Sequence, residues 1–180
     1  MRILVFYPSE GVSEVQRAQM VTQDGNNVGV VAVEGNFVDA QTGVKKIFSS
    51  VQMREVLAKK NLKLSSANSI NWRRLAPQIA YYFSAYRSLC ETGKIHCGDP
   101  VNFVVPTGNF GNILAGYYAK QMGLPINRLI CASNDNNVLT DFLRTGVYDR
   151  NRPFHQTISP SMDILISSNL ERLLYHATNG

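Results

Sequence analysis

The stretch VPTGNFGNILAG, residues 105–116, sets two glycines and two asparagines between an apolar run, PVNFVV, and an apolar segment of helical pattern. Residues of these types at a strand-to-helix junction can hold an anion. A helix N-terminus offers unpaired backbone N–H groups and about half a positive charge. Gly108 and Gly111 let the backbone approach a ligand closely, and Asn109 and Asn112 supply amide donors or a helix cap. The run lacks both the GxGxxG of a dinucleotide loop and the lysine of a P-loop. It fits a cradle for a single phosphate, and it also fits a plain turn with an asparagine cap.

A second cluster lies in SSANSINWRRLAPQ, residues 65–78. Asn68, Ser69 and Asn71 gather at the entry to a helical segment, and Arg74 falls about one turn in. Amides, a hydroxyl and a guanidinium fork converge there on a second anion, or they cap a helix beside a solvated arginine pair. In SPSMDIL, residues 159–165, Asp163 is a lone acid in a proline-stiffened loop, and its surroundings do not decide between lining a pocket and capping a turn. The chain has no GxSxG or HExxH motif and no convincing pair of carboxylates. Its lysines, Lys45, Lys46, Lys59, Lys60, Lys63, Lys94 and Lys120, fall on polar faces or near turns, where none is desolvated into a nucleophile. Cys90, Cys97 and Cys131 are odd in number and lack CxxC spacing, which excludes a disulfide framework and a zinc site. Cys131, in the run RLICAS, is expected to be a buried, inert thiol.

These residues need a scaffold, and the chain alternates. Apolar, β-branched runs at 3–8, 27–35, 100–106 and 128–133 predict strands. Between them, helical periodicity marks the segment capped by Ser13, residues 37–49 and 52–61, a long helix opening at Asn71, and residues 112–123, 137–146 and the C-terminal SSNLERLL stretch. The long helix is expected to bury Leu75, Ile79, Phe83, Tyr86 and Leu89 or Cys90, with Pro77 tolerated near its start. Strands alternating with helices imply an α/β fold, an open twisted and mostly parallel sheet with flanking helices. A subdomain boundary is placed near 65, giving 1–65 and 66–180, and the strands on its two sides can belong to different sheets.

At 180 residues and 44% hydrophobic content, the chain can build one sizeable core. No window approaches a membrane span, and the N-terminus makes a poor signal peptide, so a soluble, cytoplasmic protein is expected. The net charge of +5 is dispersed and not interleaved with aromatics, which argues against nucleic acid and suits a small anionic substrate.

Five segments, VFYPSEGVSEVQRAQM, VAVEGNFVDAQ, SSANSINWRRLAPQIAYYFSAY, PTGNFGNILAGYYAKQMGLP and SPSMDILISSNLERLL, together resemble threonine synthase, in order and over essentially the whole chain. That resemblance implies a pyridoxal 5'-phosphate enzyme of the tryptophan synthase β-like fold (fold type II). It implies that Gly108, Asn109, Phe110, Gly111 and Asn112 hold the cofactor phosphate. It also implies that Asn68, Ser69, Asn71 and Arg74 lie near the phosphate of O-phosphohomoserine, which the family converts with water to threonine and phosphate. The family's Schiff-base lysine and its substrate-carboxylate loop lie N-terminal to the part represented here, and the group facing the pyridine nitrogen lies C-terminal to it. The expectation is a central fragment, inactive alone, with sheet edges open to self-association. Another lyase of the same fold, such as a dehydratase, or a non-catalytic phosphate-binding or interaction module, shares most of these features. Arg74 discriminates, because a substrate without phosphate does not need it.

Overall fold

The computed structural model describes residues 2–35, 37–66, 69 and 71–179. The chain divides into two compact units, Met1–Leu64 and Ser65–Gly180.

In the first unit, β1 (Ile3–Pro8) and β2 (Val28–Val33) pair in parallel, with Ile3 opposite Val28 and Pro8 opposite Val33. The crossover between them is α1 (Glu14–Val21). A capping box starts it: Ser13 Oγ accepts from the Gln16 N–H at 3.2 Å and Gln16 Oε1 accepts from the Ser13 N–H at 3.3 Å. Next come α2 (Phe37–Ser49) and α3 (Val51–Ala58), the latter capped by the Ser50 side chain. Two strands do not make a full layer, and much apolar surface stays open: Leu4 is 65% exposed and Val51 64%.

The second unit holds the core. Its long helix is broken into α4 (Trp72–Leu75), a 3-10 turn (Ala76–Gln78) and α5 (Ile79–Glu91). Pro77 lies in that turn because it has no N–H to give the ladder and its ring crowds the preceding turn. Parallel strands β3 (Val101–Pro106) and β4 (Ile126–Ala132) flank α6 (Gly111–Gln121), with a register shift after Val101. Helices α7 (Val138–Thr145) and α8 (Leu170–Thr178) follow, the latter after a 3-10 turn (Pro160–Met162). Leu75, Tyr82, Phe110, Leu114, Val138 and Leu170 are among the buried residues that form one cluster. The buried stripe of α5 differs from expectation by one residue: Tyr82 is inside and Phe83 is exposed. Tyr82 can go in because its hydroxyl finds a partner, donating to the Asn112 carbonyl at 2.7 Å. Cys131 is half-buried rather than sealed, and all three cysteines are free.

Burial pushes the Tyr82 hydroxyl up to about 12 from its ordinary 10.0. The folded chain then keeps this proton where the unfolded chain has begun to lose it. Stability is fully present below pH ~10 and drops as pH rises towards ~12. Chemical denaturation across that window should show a steeper decline for the wild type than for Tyr82→Phe; parallel declines would contradict the assignment.

Candidate functional site

Parallel β3 and β4 present their carboxyl ends at the same edge, and the chain leaves β3 there through Thr107 and Gly108. The Thr107 N–H donates to the Ala132 carbonyl at 2.9 Å and the Thr107 hydroxyl to the Val105 carbonyl at 2.7 Å, so the strand end is held on both sides. Phe110 then takes the left-handed conformation (φ 62°, ψ 6°), and α6 starts at Gly111. The first intrahelical bond there runs from the Leu114 N–H to the Phe110 carbonyl at 3.1 Å. The N–H groups of Gly111, Asn112 and Ile113 precede it and have no acceptor among the described residues.

The glycines are dictated by contact. A Cβ on Gly108 would lie 2.9 Å from Ile164 Cδ1 and 3.0 Å from the Ser161 carbonyl oxygen. A Cβ on Gly111 would lie 2.8 Å from both Cβ and Oγ of Ser69. The turn is thus gripped by two segments far from it in sequence.

A third segment, at the entry to α8, orients the turn's peptides. Ser167 Oγ donates to the Gly108 carbonyl at 2.5 Å, and the Asn169 N–H donates to the Asn109 carbonyl at 3.1 Å. In a trans peptide the C=O and the following N–H point in opposite directions. Pinning these two carbonyls towards α8 therefore turns the N–H groups of Asn109 and Phe110 the other way. Those N–H groups also have no acceptor among the described residues.

The turn lines a cleft of about 330 Å³, and its residues Gly108, Asn109, Phe110, Gly111 and Asn112 share the lining with Ser69 and Arg74. The Arg74 side chain is exposed and makes no hydrogen bond or ion pair among the described residues. Asn71 is placed differently. It is the N-cap of α4, its Oδ1 accepting from the Arg73 N–H at 3.1 Å while its Nδ2 donates to the Ser66 carbonyl at 2.9 Å. It does not line the cleft, and Asn68 lies outside the described residues. The Asn112 side chain turns its Oδ1 towards the Tyr82 hydroxyl at 2.9 Å. Neither Lys94 nor Lys120, the lysines of this unit, lines the cleft.

Gln78, Thr107, Ser161 and Met162 also line it. Ser161 and Met162 are presented by a loop that Asp163 anchors. One Asp163 oxygen accepts from Asn134 Nδ2 at 2.7 Å, Thr157 Oγ1 at 2.7 Å and Asn136 Nδ2 at 3.2 Å, and the other accepts from the Thr157 N–H at 2.9 Å. Asp163 therefore serves as a loop staple. No group of three or more metal-ligating side chains occurs among the described residues.

No protein-family model matches the chain. The solved structure of pyridoxal-phosphate-bound threonine synthase from Brucella melitensis matches it with a TM-score of 0.78 and 47% identity, over 99% of this chain and 36% of that one. The parallel strands and flanking helices are thus the architecture of part of a fold type II pyridoxal-phosphate enzyme. Threonine synthase-like 1 of Homo sapiens is 51% identical over 179 residues, 98% of this chain and 24% of the relative. Threonine synthase of Pseudomonas aeruginosa is 47% identical over 180 residues, 99% of this chain and 36% of the relative. The chain is a homologue of threonine synthase and its like, and it spans only about a quarter to a third of the length of these relatives.

Proposed function

We propose that the cleft holds phosphate groups and that the chain is the phosphate-binding portion of a threonine synthase. The reading rests on one observation: the residues heading α6, whose N–H groups find no acceptor among the described residues, line a cleft together with Ser69 and Arg74. On this reading Gly108, Asn109, Phe110, Gly111 and Asn112 hold the phosphate of pyridoxal 5'-phosphate. Ser69 and Arg74 receive the phosphate of O-phosphohomoserine, a role that the family resemblance gives also to Asn68 and Asn71. The fit is chemical: a phosphate offers only acceptors at neutral pH apart from its last proton, and the unpaired backbone N–H groups of the turn are donors.

Bound pyridoxal phosphate would act as the electron sink for conversion of O-phosphohomoserine and water to threonine and phosphate. The residues of this chain bind and orient. On this reading the chain supplies the phosphate contacts and not the covalent anchor of the cofactor, and alone it is inactive. Ser65–Gly180 then corresponds to part of the larger, cofactor-phosphate-binding subdomain and Met1–Leu64 to part of the smaller one. Exposed strand residues such as Leu4 and Val104 favour self-association through sheet edges. No described helix is long and apolar enough to cross a membrane, in keeping with a cytoplasmic enzyme.

Arg74→Ala tests the division of labour. An exposed charge-assisted hydrogen bond near the low end of its range corresponds to about a tenfold loss in affinity. Equilibrium dialysis should show O-phosphohomoserine binding weakened by about that factor and pyridoxal phosphate by less than about twofold. Equal losses would count against the role of Arg74 and favour a lyase whose substrate has no phosphate. Absence of saturable binding of either compound would leave only a scaffold or interaction module.

A further inference from the structure

We propose that Asn169 is a positioning residue that sets the donor polarity of the cleft, an inference resting on the phosphate reading above. Asn169 is fully buried, at 0% exposure, one residue before α8. Its neighbours leave its amide one orientation. One end lies 3.0 Å from the Asn109 carbonyl oxygen, which only accepts, so that end is the NH₂. The other end lies 3.0 Å from Arg172 Nη1, which only donates, so that end is the oxygen. Arg172 locks the arrangement by also donating to the Ser69 carbonyl at 3.3 Å. Reversing the amide would set oxygen against oxygen and nitrogen against nitrogen at a fully buried side chain.

The consequence falls on Ser69. Asn169 Nδ2 donates to Ser69 Oγ at 3.0 Å. A serine hydroxyl can accept or donate along that line, and here it must accept. Its own proton is left for another direction, and among the described residues no acceptor takes it. Ser69 lines the cleft, so its O–H is presented there as a donor. The same amide, with the Asn169 backbone N–H, holds the Asn109 carbonyl away and so aims the Phe110 N–H. One side chain thus makes a hydroxyl and a peptide both offer protons, which selects for a ligand made of acceptors.

Two measurements on the full chain test this. The first needs no ligand: the Asn169 side-chain NH₂ protons, followed by ¹⁵N NMR, should exchange slowly with solvent and shift in Ser69→Ala. Fast exchange, or no shift, would overturn the proposal. The second is a cycle read as the dissociation constant for inorganic phosphate. Asn169→Asp presents an oxygen to Ser69 and keeps the Arg172 bond, so the Ser69 proton turns inward; it also sets an oxygen against the Asn109 carbonyl, which the Asn169 backbone N–H alone then holds. Affinity should drop about tenfold. Ser69→Ala should cost about fivefold in the wild type and less than about twofold in the Asn169→Asp background. Equal costs in both backgrounds would refute polarity control while leaving the phosphate reading intact. If no variant, nor the wild type, binds phosphate or pyridoxal phosphate, the phosphate reading falls. The orientation of Asn169 is then decided by its amide protons alone.

Discussion

In Asp163→Ala, urea denaturation should show unfolding free energy lowered by about 3 kcal/mol, and hydrogen exchange should show residues 155–164 opening locally. Each hydrogen bond to a charged acceptor contributes about 1.5–3 kcal/mol net. Four donor contacts share this carboxylate, from Asn134, Asn136 and twice from Thr157. They do not add, because they act as one network, and the half-buried site lets water replace part of the loss. The effect reaches the cleft, since the Ser161 carbonyl and Ile164 pack against Gly108. Phosphate affinity should fall with stability. Asp163→Asn keeps the shape but sets an NH₂ among donors, so about half the loss is expected. A loss below about 1 kcal/mol in Asp163→Ala would mean that solvent, rather than this carboxylate, holds the loop.

Gly111→Ala is expected to weaken inorganic phosphate binding by at least about tenfold, a change of about 1.4 kcal/mol, in isothermal titration. Alanine is the better helix former by up to ~1 kcal/mol in a helix interior, and less at the first position. Against that, its methyl would sit 2.8 Å from Ser69 Cβ and Oγ, and Cβ cannot swing aside without its backbone. Overpacking of this kind costs about 1–3 kcal/mol, so strain wins. Relief comes by displacing Ser69 from Asn169, which removes the donor that the hydroxyl supplies. Unchanged affinity with unchanged melting would show that the 69 segment yields freely and that its contact with the turn is incidental.

The turn was legible in the sequence because its signal is local. An apolar β-branched run, two glycines and a helical period lie within a dozen residues, and β3, Gly108–Asn112 and α6 follow in that order. Ser13 as a cap and Pro77 as an interruption were legible for the same reason. Helix ends moved by a few residues: the segment predicted at 52–61 runs from Val51 to Ala58. The choice of Tyr82 over Phe83 was hidden, because a tyrosine goes inside only when a partner waits, and Asn112 is thirty residues away. Ser167 and Asn169 were missed entirely. They act on residues 59, 60 and 100 positions distant, and nothing in SSNLERLL marks one asparagine as anything but a helix cap. Asp163 was visible as an oddity and uninterpretable until Asn134, Asn136 and Thr157 came beside it.

Phe110 carries the last consequence. Its backbone sits in the left-handed region, at a cost of roughly 1–2 kcal/mol for an ordinary residue. Its ring is 5% exposed within the core, and burying a phenylalanine returns about 1.5–3 kcal/mol. The turn keeps its shape because the core holds the ring, so the turn and the core form together. An anion seated there binds the folded chain and not the unfolded one, and by mass action it adds RT ln(1 + [L]/Kd) to stability. On the proposed reading phosphate is a folding ligand as well as an occupant, and the folded fraction should rise with the anion concentration around it.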